Sequence, residues 1–507
     1  MVKSVDVLVV GSGNAGLATA ATTAKLGLST LLVERHNVPG GSASSFRRGR
    51  FEFEPSLHEM ANFGPPEQPG DVRDFFDWLG VEVEMLPVED AYRTIVTGPD
   101  GYDVSMPFGI PNYIAKMEQV APGSAASMGA FFSLVGDVGR AMGYLAAAKG
   151  NPDLEVLMAE HTNFMKVSNS SVGDILDMIG MPEKTQHILL TYWPYMGTPR
   201  SQFTFVMYAL ILYRYLSLGA YIPRGRSHEL SLALVKNIRD NGGEVWFNTE
   251  VAQLLVKDGR CYGVVTKDGM EIHADAVVAN FFPNRAFSSM MDEDQIPVAE
   301  VKRANARRIG MSGFSVYLGL SKSPEELGIK DYSVFMADKA DSEALFEGMH
   351  TLDNNTFSIM NCLNIANPGC SPEGTSLLWS TQLFAPGVWD NVKPEEYKAL
   401  KNRMAQKVIT QYEEATGIII SDCIEEISIA TPVTFARYLN SPQGSIYGYH
   451  TANWDSMLPR IMGAPTEKSI EGLYFAGGHG TRTLGYGSTY VNGRQTGEAV
   501  ARETKKG

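Results

Sequence analysis

The sequence predicts an α/β protein in which one domain is assembled from discontinuous segments and a second, mixed α+β domain is built from two insertions. Three observations carry this. A strand–glycine turn–helix–strand unit opens the chain, a β meander with a returning buried strand lies near its middle, and a glycine-flanked strand followed by a helix closes it. Residues 1–65, 222–290 and 441–507 are therefore assigned to the first domain, and residues 66–221 and 291–440 to the second.

In the opening unit, residues 5–10 form an apolar strand and a helix is predicted over 14–26, with Gly27 placed to stop it in a left-handed turn. Residues 29–33 are mostly β-branched or aliphatic, as in a strand buried on both faces of a parallel sheet. Helical periodicity marks 72–79 and 128–148 in the first insertion. A strand is predicted over 242–247. The turn signals Asp258-Gly259 and Asp268-Gly269 flank the apolar run 261–265 and predict a three-stranded antiparallel meander. Residues 275–279 predict a further buried strand, and the second insertion alternates strands with acidic helices. The chain closes with a strand within 472–478 and a helix over about 489–501.

Composition excludes several classes. The 507 residues suggest two or three domains, and 44% hydrophobic with 20% charged residues is ordinary globular usage. The 43 basic against 57 acidic residues give a net charge of −14 without a basic run, which excludes a dedicated nucleic-acid binder. Four cysteines, none in a CxxC pair, argue against a disulfide framework or structural zinc, and no metal site is predicted. The opening residues lack a basic leader, and the most apolar stretch, 203–213, is broken by Arg214, short of the roughly 20 residues that a spanning helix needs. The expected location is cytoplasmic, with any membrane contact local and hydrophobic.

Gly11-Ser12-Gly13-Asn14-Ala15-Gly16 is a G-x-G-x-x-G turn between the first strand and helix. Gly11 allows the tight turn, Gly13 lets the backbone approach a pyrophosphate, and Gly16 allows close helix–strand packing. The helix start offers free N–H groups and the positive end of its dipole to the diphosphate. Glu34 ends the second strand 18 residues after Gly16, where a carboxylate accepts ribose hydroxyls and disfavours a 2′-phosphate; Arg35 follows it. This predicts a Rossmann-type dinucleotide site. A second glycine pair, Gly40-Gly41, with Ser42 after it, would extend the cradle for a cofactor as long as FAD.

With the meander starting at Val251 and the closing Tyr474-Phe475-Ala476-Gly477, these motifs resemble the FAD-dependent phytoene desaturase, carotenoid isomerase and retinol saturase family, within the wider amine-oxidase-like flavoproteins. The resemblance implies that the diphosphate sits on the first glycine turn and that Val251 meets the adenine through its backbone. It further implies that Gly477, Gly478, Gly487, Ser488, Thr489 and Tyr490 approach the flavin. Three departures stand out. Phe53-Glu54-Pro55-Ser56 replaces the family's Phe-Asp-x-Gly, Gly478-His479 replaces the acidic residue after Ala-Gly, and Pro223-Arg224-Gly225-Arg226 keeps half of Pro-x-Gly-Gly. The cofactor transfers on this basis, whereas the particular reaction does not.

The candidates for catalysis are His58, Glu54, Tyr486 and Tyr490. His58 falls on a stretch that faces the flavin in the family; a histidine bonded within a polar loop is the competing reading. Glu54 is either a proton donor with a raised pKa or a paired carboxylate. Each tyrosine is either a donor near the flavin or aromatic packing. His479 is either a charge stabiliser or a hydrated loop residue. Arg224 and Arg226 are candidates to hold a substrate carboxylate, against a solvated basic turn. The aromatic and methionine-rich stretch 191–221 either lines a lipid tunnel or is core.

The leading expectation is an FAD-dependent oxidoreductase or isomerase that saturates, desaturates or isomerises carbon–carbon double bonds of a long apolar substrate such as a carotenoid, retinoid or fatty acid. The alternatives are an amine-oxidase-like dehydrogenase of a small polar substrate and a non-catalytic FAD-containing binding protein. No second nucleotide motif is present, so an external electron carrier or internal redox cycling is expected. A lipid or polyene is the expected small-molecule partner, nucleic acid is not, and a peripheral membrane contact and a homo-oligomer stay open.

Overall fold

The computed structural model describes residues 2–99, 101–148, 152–451, 453–455, 470–478 and 485–504. Its first sheet is ordered Glu244–Trp246, Thr30–Val33, Lys3–Val10, Glu271–Ala279, Arg260–Thr266 and Val251–Lys257, with Leu473–Phe475 also paired to Glu271–Ala279. The strands around Lys3–Val10 run parallel, with Val7 opposite both Thr30 and Ala276, whereas the meander is antiparallel. Strands buried on both faces need no polar alternation, and Thr30–Val33 shows none.

The meander's last strand and the returning buried strand, expected as two, are one strand. Glu271–Ala279 alternates in burial at its start, where it pairs with Arg260–Thr266, and is continuously buried at its end beside Lys3–Val10 and Leu473–Phe475. No glycine or proline interrupts it, so the chain has little reason to bend there.

One face of this sheet is covered by the helices Asn14–Lys25, Asp71–Leu79, Arg226–Asp240 and Tyr486–Thr504. The opposite face packs on the meander and residues near Phe287. Helix Asp71–Leu79 lies outside the segments assigned to the first domain, yet its apolar face, Val72, Phe75, Phe76 and Leu79, is buried in that domain's core. Conversely, Phe51 and Phe53 of the hairpin Phe46–Arg48/Phe51–Phe53 enter the core of the second domain. The boundary at residue 65 is thus not a packing boundary. Apolar spacing identified the helix, but only the neighbouring grooves decide which core receives it.

The second sheet is ordered Ile424–Ala430, Ser312–Leu320, Ser376–Phe384, Ser358–Cys362, Ser333–Ala337, Asp90–Val96 and Tyr102–Pro107. Helix Pro394–Thr416 packs on one face through Leu400, Met404, Val408 and Tyr412, and the helices of the first insertion pack on the other. The strands of both insertions thus share one sheet. Among the described residues, no helix is long and apolar enough to cross a membrane, and no group of three or more His, Cys, Asp or Glu is placed to hold a metal ion. All four cysteines are buried and unbridged.

Candidate active site

A cavity of about 460 Å³ runs from the first glycine turn, between the two sheets, to the aromatic residues of the first insertion. At one end the chain turns at Gly11, whose φ of +100° suits glycine alone and whose N–H donates to the Val33 carbonyl at 2.8 Å. Gly13, Asn14 and Ala15 line the cavity. Gly16 does not; it lies against the Gly11 carbonyl with no room for a side chain. The buried Glu34 carboxylate accepts from Ser12 N (2.8 Å) and Ser12 Oγ (2.7 Å) on one oxygen and from His36 N (2.9 Å) on the other. These bonds hold the acid at the cavity wall with lone pairs to spare. Arg35 also lines the wall, its guanidinium donating to the carbonyls of Arg437 (2.9 Å) and Tyr438 (2.7 Å).

The second glycine pair stands beside the first turn. Gly40 N donates to the Ser12 carbonyl at 2.9 Å, and Gly41 and Ser42 face the cavity while Gly40 supports them. Val251 lines the same end. From the closing segment come Gly477, Gly478, Tyr486, Gly487, Ser488 and Thr489, with Gly477 N bonded to Asn492 Oδ1 at 2.8 Å. His479 lies outside the described residues. Tyr486 donates to the Ser42 carbonyl at 3.0 Å and stands 2.8 Å from Ser56 Oγ, so its hydroxyl clasps the closing helix to the second glycine loop.

At the far end, buried His58 contacts Trp379 edge-on, with ring centroids 4.2 Å apart. Its Nδ1 is 2.8 Å from the Tyr195 hydroxyl and its Nε2 is 3.1 Å from Thr381 Oγ1, which accepts from Trp379 Nε1 at 3.0 Å. Burial pushes the imidazole down to about 3, so it is neutral in ordinary buffers. A neutral imidazole has one donor and one acceptor nitrogen, so either Tyr195 or Thr381 donates to it. Tyr332 donates to the His58 backbone carbonyl.

Besides Gly16 and Gly40, four more expected site residues do not line the cavity. Glu54 is 2% exposed and does not line the cavity; it accepts from Ser227 N (2.8 Å), Ser227 Oγ (2.7 Å) and Leu57 N (3.0 Å). It satisfies the start of helix Arg226–Asp240, whose first N–H groups have no partner within the helix. Burial raises its pKa, and the bonds from Ser227, Leu57 and Ser56 oppose that rise. Tyr490 is fully buried between helices and bonds Asn14 Oδ1 at 3.2 Å, so packing is its role. Arg224 makes a two-pronged exposed pair with Glu84 (2.6 and 2.7 Å), and Arg226 donates to the Cys370 carbonyl. Neither arginine lines the cavity, because the turn carrying them points away from it. Arg224→Ala is expected to leave both turnover and melting temperature unchanged, measured by steady-state assay and calorimetry, since exposed pairs contribute little.

The aromatic stretch divides. Tyr192, Tyr195 and Met196 line the cavity, whereas Trp193, Phe203, Phe205, Met207 and Tyr208 are core. Among the cavity residues that have no counterpart in the sequence reading, two stand out. Asn280 donates from its backbone N–H to the Val10 carbonyl (2.9 Å) and from Nδ2 to the Ala476 carbonyl (2.9 Å), tying the glycine turn to the closing segment. Glu59, next to His58, lines the cavity, and its adjacency to His58 was the available signal. Burial raises its carboxyl from 4.5 to about 8, with Tyr215 and Tyr192 opposing. A raised folded pKa means that its stabilising contribution is full below pH 4.5 and lost as pH climbs through 8.

Residues 9–79 match the NAD(P)-binding Rossmann-like domain family, a span that includes helix Asp71–Leu79. An all-trans-retinol 13,14-reductase of Danio rerio is 26% identical over 94% of this chain and 82% of its own. A phytoene desaturase of Neurospora crassa is 24% identical over 98% and 84%, and a prolycopene isomerase of Daucus carota 20% identical over 94% and 76%. The chain is a homologue of these three enzymes. The implied resemblance holds along nearly the whole chain, including both insertions. A putrescine oxidase structure superposes with a TM-score of 0.64 over 100% of both chains at 14% identity, so the fold is shared with amine oxidases.

Proposed function

We propose that the protein is an FAD-dependent enzyme that acts on carbon–carbon double bonds of a long apolar, unsaturated substrate. The observation that carries this is the continuity of the cavity. One wall has the glycine turn and Glu34, the middle has Gly41, Ser42, Gly477 and Ser488, and the far end has Met196, Ile211, Ile359, Trp379, Leu383 and Tyr447. Its volume falls in the range of about 300–1,000 Å³ usual for ligand sites.

The residues fit a flavin dinucleotide. Gly13 lines the cavity with bare backbone, and a Cβ there would lie 2.7 Å from Asn280 Oδ1, so the turn has no room for a side chain. Glu34 is pre-oriented by Ser12 and His36 to accept ribose hydroxyls, and the helix start at Asn14 is open to a diphosphate. Bound there, a flavin supplies two-electron hydride exchange. The chain's own part is to exclude water with Trp379, Leu383, Phe435 and Ile446, and to fix the Tyr195 hydroxyl through neutral His58.

The relatives' reactions, reduction, desaturation and isomerisation, share a polyene and differ in net redox change. Purified protein with reduced flavin and a carotenoid, retinoid or polyunsaturated fatty acid distinguishes them by mass. Two added hydrogens indicate saturation, two lost indicate desaturation, and unchanged mass with a moved or rotated double bond indicates isomerisation. Hydrogen peroxide from amines with every polyene untouched overturns the reading.

A further inference from the structure

Glu59 is an uncommon group: both carboxylate oxygens are out of solvent and neither has a hydrogen-bond partner, although the residue itself lines the cavity. The phenols of Tyr192 and Tyr215 approach closely enough to favour its anion, yet Tyr215 gives its proton to the Ala91 carbonyl. Tyr195 and Tyr332 also face it electrostatically, and both are pushed well above their ordinary value by burial. His58 beside it is neutral, and Arg214, which shares the cavity wall, is paired with Asp71 at 2.9 Å. A structural carboxylate in this position would be expected to have donors of its own, as Glu54 has only a few residues earlier. Glu59, by contrast, has only the phenols of Tyr192 and Tyr215 beside it, and neither completes a hydrogen bond to its carboxylate.

We propose that Glu59 is the acid–base residue of the cavity, passing a proton between its carboxyl group and a carbon atom of the bound unsaturated substrate. The inference rests on the double-bond reading above. Burial puts the carboxyl near 8, close to the pH at which a general acid and base works in both directions. The balance closes on this side chain in an isomerising turnover. The carboxyl O–H breaks and a C–H bond forms at one end of the double bond. A C–H bond on the carbon next to the other end then breaks, its electron pair becoming the shifted double bond and its proton returning to the carboxylate. Tyr192 and Tyr195 surround the transient positive charge with aromatic faces.

Two measurements test this. Infrared spectra of the purified protein without substrate should show a protonated-carboxyl band at pH 7 that fades with a midpoint near 8, is absent in Glu59→Gln and is displaced in Glu59→Asp. In D₂O, the flavin-loaded protein should place solvent deuterium on carbon in a polyene substrate, and Glu59→Gln should lower that rate at least about 100-fold with flavin content and melting temperature kept. A wild-type protein without the band, or a Glu59→Gln protein that incorporates deuterium at the wild-type rate, overturns the assignment. A wild-type protein with the band that labels no polyene overturns the double-bond reading instead, and with it delivery of the proton to carbon.

Discussion

Gly13→Val is expected to give a folded protein that purifies without flavin colour. A Cβ at this position would stand 2.7 Å from Asn280 Oδ1, and valine adds two methyl groups between two residues that both line the cavity at the proposed diphosphate position. The Asn280 amide cannot simply retreat, because its Nδ2 bonds the Ala476 carbonyl and its backbone belongs to the return from strand Glu271–Ala279. The chain itself has more freedom, since Gly13 has ordinary extended torsions (φ −65°, ψ 170°) and caps helix Asn14–Lys25 without a side-chain bond. Loss of binding should therefore exceed loss of stability. At 1.4 kcal/mol per tenfold, a hundredfold weaker cofactor corresponds to about 2.8 kcal/mol. Flavin absorbance per protein and a fluorescence titration read the binding, and calorimetry reads the fold. Stoichiometric yellow protein would refute the placement of the cofactor on this turn.

Gly493→Leu should instead damage the fold itself. Helix Tyr486–Thr504 packs on Asn14–Lys25 through Gly493 and Gly497, where an added Cβ would lie 2.6 Å from Ala18 Cβ and 2.7 Å from Thr22 Cβ respectively. Gly493 also faces the Ala15 backbone, which cannot rotate aside as a side chain could. Leucine must push the helices apart, at a cost of about 3 kcal/mol, the upper part of the usual range for overpacking. The displacement also strains two bonds that the same helix makes, Asn492 Oδ1 to Gly477 N (2.8 Å) and Tyr490 to Asn14 (3.2 Å). A fall of several degrees in melting temperature together with loss of flavin is expected. Gly143→Ala is the control, because no heavy atom lies within 4 Å of a Cβ there and a helical alanine is preferred to glycine. An unchanged melting temperature for Gly493→Leu would refute the tight helix contact.

What the sequence made legible was local. Gly11, Gly13, Gly16 and Glu34 are joined by one turn, one helix and one strand, so their spacing alone nearly fixes their geometry. Glu54 and Glu59 show the opposite case. The two acids are five residues apart on the same segment, with nothing in composition or periodicity to rank them. Ser227, which comes from a helix far along the chain, consumes Glu54, whereas Glu59 meets only the phenols of Tyr192 and Tyr215, neither in full hydrogen-bond geometry. The same holds for Asn280 and for the wall from Phe435 to Gly448, where Ser445 bridges to Ser312 and the adjoining Tyr449 to Ile309, far back along the chain. In the aromatic stretch, Tyr192 and Phe203 are both buried in one core, yet only Tyr192 also lines the cavity, which apolar content cannot resolve.

Strand Glu271–Ala279 is held on one side by residues 3–10 and on the other by residues 473–475. A ribosome therefore finishes both insertions before it releases the last strand of the nucleotide sheet. Until then the nascent chain exposes an unpaired strand edge and half a cofactor cradle, a state in which domain-wise folding during synthesis cannot go to completion. While that edge is open, pairing with another unfinished chain competes with the arrival of residues 473–475.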